Sequence, residues 1–143
     1  MSPNYVTKDT QAAVQTALLR ALDRLTAAGQ RVVLLAPIPQ FPEWSPTQCS
    51  VLSAMADTNG CGTTVPRATM DDRQRAALEV FGNVAARTGT AVLDLRDDVC
   101  PDEQCRTNVE DTWMFRDLFH ITVGESERLA PQVTDAIATS GPQ

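Results

Sequence analysis

Basic charge is scarce in this chain. Lys8 is the only lysine, and 12 Lys+Arg against 18 Asp+Glu leave a formal net charge of −6. No Lys/Arg run is available to neutralise phosphates, so no nucleic-acid partner is expected, and an anionic polymer would have to be held by a few placed arginines. Long apolar runs are missing too: none approaches the roughly 18 residues that a bilayer span requires. The N-terminus lacks the basic segment followed by an apolar stretch that marks an export signal, so as written the chain reads as soluble and without a signal. Histidine is as scarce as lysine: His120 alone represents it, and no usual nucleophile stands beside it. Any proton transfer near neutral pH therefore falls to His120, imidazole being the side chain that titrates there.

What is present describes an ordinary globular chain. At 143 residues, with 43% hydrophobic and 21% charged, it is long enough for one domain with a real core and not for two, and wholesale disorder is excluded. No internal repeat or linker divides residues 1–143. Four cysteines fall in two local pairs. Cys49 and Cys61 flank a segment rich in small polar residues, and Cys100 and Cys105 close the tight polar loop Cys100-Pro101-Asp102-Glu103-Gln104-Cys105. Two disulfides in an oxidising compartment fit this pattern. A four-thiolate zinc site lacks its short CxxC knuckles, and free buried thiols fit poorly in so acidic a loop. With disulfides but no signal, the chain is expected to be the tail of something longer.

Periodicity predicts alternating helix and strand. Val14, Ala17, Leu18, Ala21, Leu22 and Leu25 recur at helical spacing between about Lys8 and Ala28, and Gly29 is placed to cap that helix. Arg31–Ala36 is a short, nearly all-apolar run, as in a parallel strand covered on both faces, and Pro37 and Pro39 stop it. A long loop follows to about Ala68, with Phe41, Trp44 and a helical turn around Ser50 to Ala56. A second helix is predicted from about Thr69 to Thr88, with Asp71 and Asp72 near its positive end. Thr90–Leu95 reads as a second buried strand, and a third helix runs from Val123 or Gly124 to Ala138. The order is that of half an α/β sandwich with a thin parallel sheet.

The chemistry concentrates in Arg116-Asp117-Leu118-Phe119-His120-Ile121-Thr122-Val123-Gly124. Asp117, three residues before His120, is placed to orient the imidazole, or else to bond backbone N–H groups of the following turn. Phe41 and Trp44 read as staples of the long loop in preference to walls of an acyl or sugar pocket. Arg67, Arg73 and Arg75, beside Asp71 and Asp72, read as a solvated helix face.

Asp117-x-x-His120, followed by Ile121-Thr122, Gly124 and Leu129-Ala130, resembles the last block of the SGNH hydrolases. The loop from Val99-Cys100-Pro101 to Cys105 and the strand leading into Ala36-Pro37-Ile38-Pro39 are similar to the extracytoplasmic SGNH domain fused to membrane acyltransferases of the acyltransferase-3 class, which O-acylate cell-envelope polysaccharides. The resemblance implies a partial three-layer α/β/α, flavodoxin-like fold with a short parallel sheet and N-terminal strands missing. It implies His120 as general base and Asp117 as its orienter, with no metal and no cofactor. An acylated polysaccharide or other acyl ester is the implied substrate, acted on outside the cytoplasm, and an upstream membrane acyltransferase portion or a complementary chain the implied partner. The family's Gly-Asp-Ser nucleophile block and its oxyanion Gly and Asn blocks are absent: Ser2, Ser45, Ser50, Ser53, Ser126 and Ser140 all lack a preceding Gly-Asp. The chain is thus expected to be the second half of an esterase or O-acyltransferase domain, inactive or nearly so alone. The other reading is a catalytically inactive remnant or binding module with an α/β half-fold.

Overall fold

The computed structural model describes residues 7–50, Leu52 and 61–140. The expected turn around Ser50 to Ala56 therefore lies outside the described residues, apart from Ser50 and Leu52. In chain order the elements are α1 (Lys8–Ala27), β1 (Val33–Leu35), β2 (Thr64–Pro66), α2 (Arg67–Thr88), β3 (Ala91–Leu93), α3 (Arg96–Val99), β4 (Gln104–Arg106), β5 (Asn108–Val109), β6 (Thr112–Trp113) and α4 (Val123–Thr139). Short 3-10 turns occupy Pro46–Gln48 and Pro101–Glu103. The chain divides into two compact units, one of Met1–Pro37, Arg73–Asp94 and Pro131–Gln143, the other of Ile38–Asp72 and Leu95–Ala130.

The first unit holds the parallel sheet. Thr7 caps α1 through its hydroxyl, which accepts the Thr10 N–H at 3.1 Å. At the other end Gly29 takes φ +72°, where a side chain would be strained, so that Gly29 N–H reaches Thr26 O and Gln30 N–H reaches Leu25 O, both at 2.9 Å. Gly89, also at φ +72°, ends α2 in the same conformation. β1 and β3 run parallel with Leu34 opposite Val92. Leu34 packs with Leu22, Val80 and Val84 into a core flanked by Leu18, Leu19, Val32 and Phe81, so α1 and α2 cover one face of the sheet.

Two expectations are corrected here. The strands are three residues long, and they are not covered on both faces: Leu34 is 8% exposed while its neighbour Leu35 is 52% exposed. Successive side chains point to opposite faces, and only the Leu34 face meets the helices of the core cluster. Nor is the whole predicted stripe of α1 buried. Leu22 is, but Val14 and Leu25 are close to half exposed.

The second unit is built from short antiparallel pairs and cross-links. β2 pairs with β4, Val65 opposite Cys105, and β5 pairs with β6, Asn108 opposite Trp113. Cys49–Cys61 and Cys100–Cys105 are disulfides, which leaves no thiolate for zinc. Thr107 is buried as a junction: its N–H donates to Thr63 O, its hydroxyl accepts the Thr63 N–H, and its carbonyl accepts the N–H groups of Met114 and Phe115. A side chain at Gly62 would run into Asn108 Oδ1, 1.6 Å from where its Cβ would lie, so this close approach requires glycine. Phe41 and Trp44 are buried staples, as their reading favoured. Phe41 meets Phe115 edge-on at 4.7 Å, and Trp44 stacks on Trp113 at 5.9 Å while its indole N–H donates to Cys61 O at 2.9 Å. Arg67 departs from the solvated-face reading. Its half-buried guanidinium bridges Asp71 and Asp97, and Arg96 also holds Asp71 at 2.7 Å. Arg73 and Arg75 are exposed.

The start of α4 is fixed by Thr122. Its hydroxyl donates to Trp113 O at 2.8 Å and accepts the Glu125 N–H at 3.2 Å, and its own N–H donates to Met114 O at 2.9 Å. This is half of a capping box, because the Glu125 side chain turns to Arg128 instead of back to the cap.

Three substitutions check this description by chemical denaturation. Leu34→Ala should cost about 2–5 kcal/mol, the range for emptying a filled core position, whereas Leu35→Ala should cost less than about 0.5 kcal/mol, as exposed substitutions do. Thr122→Ala should cost about 1 kcal/mol through loss of the helix cap.

Candidate active site

The segment that carries Asp117 and His120 lies wholly in the second unit. Its ends are drawn together by an isolated antiparallel bridge between Phe115 and Ile121 and by the Arg116 N–H donating to His120 O at 2.8 Å. Residues 116–120 thus form a closed loop. Phe41, whose ring packs on Phe115, adds a second tie through its N–H to Leu118 O at 2.9 Å. Immediately after Ile121 comes Thr122 with its three bonds, so the loop is anchored on both sides.

Inside the loop the Asp117 carboxylate collects N–H groups. Its Oδ1 accepts the backbone N–H groups of Phe119 and His120, each at 2.9 Å. The same oxygen lies 2.8 Å from His120 Nδ1, and Oδ2 lies 2.9 Å from it. One carboxylate of Asp117 thus faces both the imidazole nitrogen and the backbone N–H groups of the turn. An ionised carboxylate only accepts, so Nδ1 is the ring nitrogen that bears hydrogen in the neutral imidazole, and Nε2 is left with its lone pair. The Phe119 N–H, more than any other group, pulls the Asp117 pKa down; partial desolvation opposes it, and the hydrogen bonds from the His120 side chain and N–H add to the lowering, to about 2. Asp117 is thus ionised at neutral pH.

The imidazole is 63% exposed and open to a reacting group. Arg116 stands beside it, largely in solvent, with Nε 3.5 Å from Asp117 Oδ2. Phe119, on the same loop, is about half exposed. The Ser45 hydroxyl pairs with Thr47, and that of Ser126 donates to Thr122 O, so neither is turned to His120. Ser2 and Ser53 lie outside the described residues. The arrangement can accept a proton at Nε2 and hold the resulting imidazolium against a carboxylate; it does not itself supply the group that gives the proton. Among the described residues no group of three or more His, Cys, Asp or Glu side chains converges in a metal-binding arrangement.

The loop's supports were not read from the sequence. Glu125 is buried and forms two short bonds with Arg128, at 2.6 and 2.8 Å, and Arg128 reaches on to Asp98 O at 2.9 Å, tying the first turns of α4 to α3. The spacing Thr122-x-x-Glu125 carried the signal for the cap. Nothing local signalled that Trp113 and Met114 would supply the carbonyls that fix Thr122.

Among the described residues no helix is long and apolar enough to cross a membrane. No curated protein and no solved structure matches the chain. The family model for the SGNH domain (fused to AT3 domains) matches residues 2–135, which includes the Asp117–His120 loop, both disulfides and the parallel strands. With nearly its whole length matched, the chain belongs to the SGNH domain family that occurs fused to AT3 domains.

Proposed function

We propose that residues 1–143 are the C-terminal portion of one SGNH-type esterase or O-acyltransferase domain, acting on acyl esters of cell-envelope glycans outside the cytoplasm. In this reading His120 is the general base, Asp117 its orienter, and the serine comes from a segment other than this chain, upstream in a longer polypeptide or in a complementary one. The observation that carries the reading is the carboxylate of Asp117 on His120 Nδ1 at 2.8 and 2.9 Å, with Nε2 on an exposed ring.

The steps follow from that geometry. A serine hydroxyl placed at Nε2 gives its proton to His120 as its oxygen attacks the acyl carbonyl; Asp117, already ionised, stabilises the imidazolium without taking the proton. The ester bond breaks, the departing alkoxide takes the proton back from Nε2, and the acyl group remains on serine. Water or a glycan hydroxyl then attacks, giving its proton to Nε2, and the serine oxygen leaves with that proton. Donors for the oxyanion are part of the same missing complement, and they carry the largest electrostatic contribution to acyl transfer. The alternative, an inactive remnant or binding module, is favoured by one observation: the chain contains no Gly-Asp-Ser block.

Hydrolysis of 4-nitrophenyl acetate separates the two. The 143-residue chain by itself should not exceed the rate given by an equal concentration of free imidazole. In a polypeptide that also carries the serine block, His120→Ala should lower turnover by about 10²–10⁴-fold, the usual weight of general acid–base catalysis, with only a small drop in unfolding midpoint. An unchanged rate in that variant would reject His120 as the base.

The ionisation of Asp117 is open to direct measurement in the chain as it stands. Its carboxyl carbon resonance should titrate near pH 2 instead of the ordinary 3.8. Because the folded value lies below the unfolded one, the loop's contribution to stability is complete above about pH 4 and is lost as the pH falls through 2. A midpoint near the ordinary value would show that the hydrogen bonds to this carboxylate do not persist in solution.

A further inference from the structure

Two side chains of the Asp117–His120 loop take no part in closing it. Asp117 and Leu118 are half-buried, whereas Arg116, Phe119 and His120 are exposed. The Arg116 side chain is 71% exposed, and its Nε stands 3.5 Å from Asp117 Oδ2, beyond the roughly 2.7–2.9 Å of a charge-assisted hydrogen bond. The same oxygen lies 2.9 Å from His120 Nδ1, so guanidinium and imidazole are neighbours across one carboxylate oxygen. Phe119 is held through its N–H to Asp117 Oδ1 at 2.9 Å, while its ring is half in water. Among the described aromatic residues it alone is exposed: Phe41, Trp44 and Phe115 are buried, and Phe81 and Trp113 partly so. A single apolar side chain in solvent is ordinary on a protein surface. This one is next in sequence to the imidazole, on backbone fixed by the carboxylate that the imidazole uses.

A flat apolar ring beside a planar cation selects a ligand with an apolar face and an anionic edge. An acyl chain would use the ring and leave the guanidinium idle, and a phosphate would do the reverse. A pyranose turns a face of C–H groups to an aromatic ring, and a pyranose with a carboxylate also presents the group that a guanidinium holds bidentately. We propose that Phe119 and Arg116 form a sugar subsite on this loop and that the sugar is a uronic acid unit. Its ring lies on Phe119, its carboxylate on Arg116, and its acyl ester toward His120 Nε2. Asp117 is engaged by the Phe119 and His120 N–H groups and by the imidazole, which leaves the guanidinium available to a ligand carboxylate. The net charge of −6 does not exclude such a sugar, because exposed charges more than about 8–10 Å away are largely screened at physiological salt. It does require that the sugar be held by a placed arginine. The proposal deepens the glycan-ester reading and rests on it for calling the sugar a substrate; binding of the sugar to the loop does not depend on that reading.

Titration of the whole 143-residue chain with methyl glucuronide and with methyl glucoside, followed by NMR, tests it. Both sugars should move the Phe119 ring and His120 amide resonances, the glucuronide binding about two- to fivefold tighter, the weight of one exposed ion pair. Arg116→Gln should bring the glucuronide down to the affinity of the glucoside. Phe119→Ala should weaken both sugars about three- to tenfold, the loss of one aromatic contact, and Phe119→Leu, apolar but without a ring face, should do the same. Equal affinity of the parent chain for the two sugars would overturn the proposal, as would an unchanged preference in Arg116→Gln. So would shifts that miss the loop, or none with either sugar. In a polypeptide that also carries the serine block, O-acetylated methyl glucuronide should show a lower KM than O-acetylated methyl glucoside, and Arg116→Gln should abolish that difference. Absent sugar binding, with His120→Ala still lowering turnover, would reject this subsite alone. Sugar binding that persists while His120→Ala leaves turnover unchanged would reject the base and leave the subsite standing.

Discussion

The carboxylate of Asp117 is the constraint on which the candidate site depends. It gathers two backbone N–H groups and one imidazole nitrogen, and each of those bonds limits the others. The backbone bonds set the turn, the turn places the His120 ring over the carboxylate, and the ring in turn keeps the carboxylate from rotating away. Removing a neutral acceptor from a surface turn would be a small matter. Removing this one would leave two backbone donors and the imidazole to find water, and would free the choice of tautomer that makes Nε2 the acceptor.

Much of this loop was legible in the sequence because its logic is local. Asp117 and His120 are three residues apart, and a short acidic side chain that bonds N–H groups two and three positions on is a property of one turn of chain. Gly29 was legible for the same reason, ending a helix where φ must be positive. Trp44 and Phe41 were readable as staples, but not what they would staple: Phe115 and Trp113 are far away in sequence, and no periodicity links them. Arg67 was misread because its partner Asp97 also lies beyond the reach of any helical spacing.

The strands failed differently. Val32-Val33-Leu34-Leu35 is apolar throughout, which normally marks burial on both faces, yet Leu35 is half exposed. The run of apolar residues describes what the strand is suited to; the coverage depends on what surrounds it. A two-stranded sheet offers one covered face and two edges, and strands of three residues contribute little by themselves. The composition of β1 therefore exceeds what its described surroundings use, and that excess is itself information about the fold to which the segment is fitted.

The thin sheet does not weaken the case for the dyad's geometry, because the two draw on different bonds. Every contact named here as orienting His120 begins and ends within Ile38–Asp72 and Leu95–Ala130: Asp117 with the loop, Phe41 with Leu118, Thr122 with Trp113 and Met114, and Arg128 with Glu125 and Asp98. Two disulfides also close within that unit, one spanning twelve residues and one spanning five, and cross-links restrict the unfolded chain most directly where they lie. The parallel strands belong to the other unit. A deficit in the sheet is thus a deficit in what the domain can bury, while the absence of a Gly-Asp-Ser block is a deficit in chemistry, and neither alters the hydrogen bonds that hold the imidazole to its carboxylate. An Asp–His pair whose supports are this self-contained can keep its geometry whether or not a serine is ever placed against it, so the geometry supports a role as general base while the presence or absence of the serine decides whether that role is used.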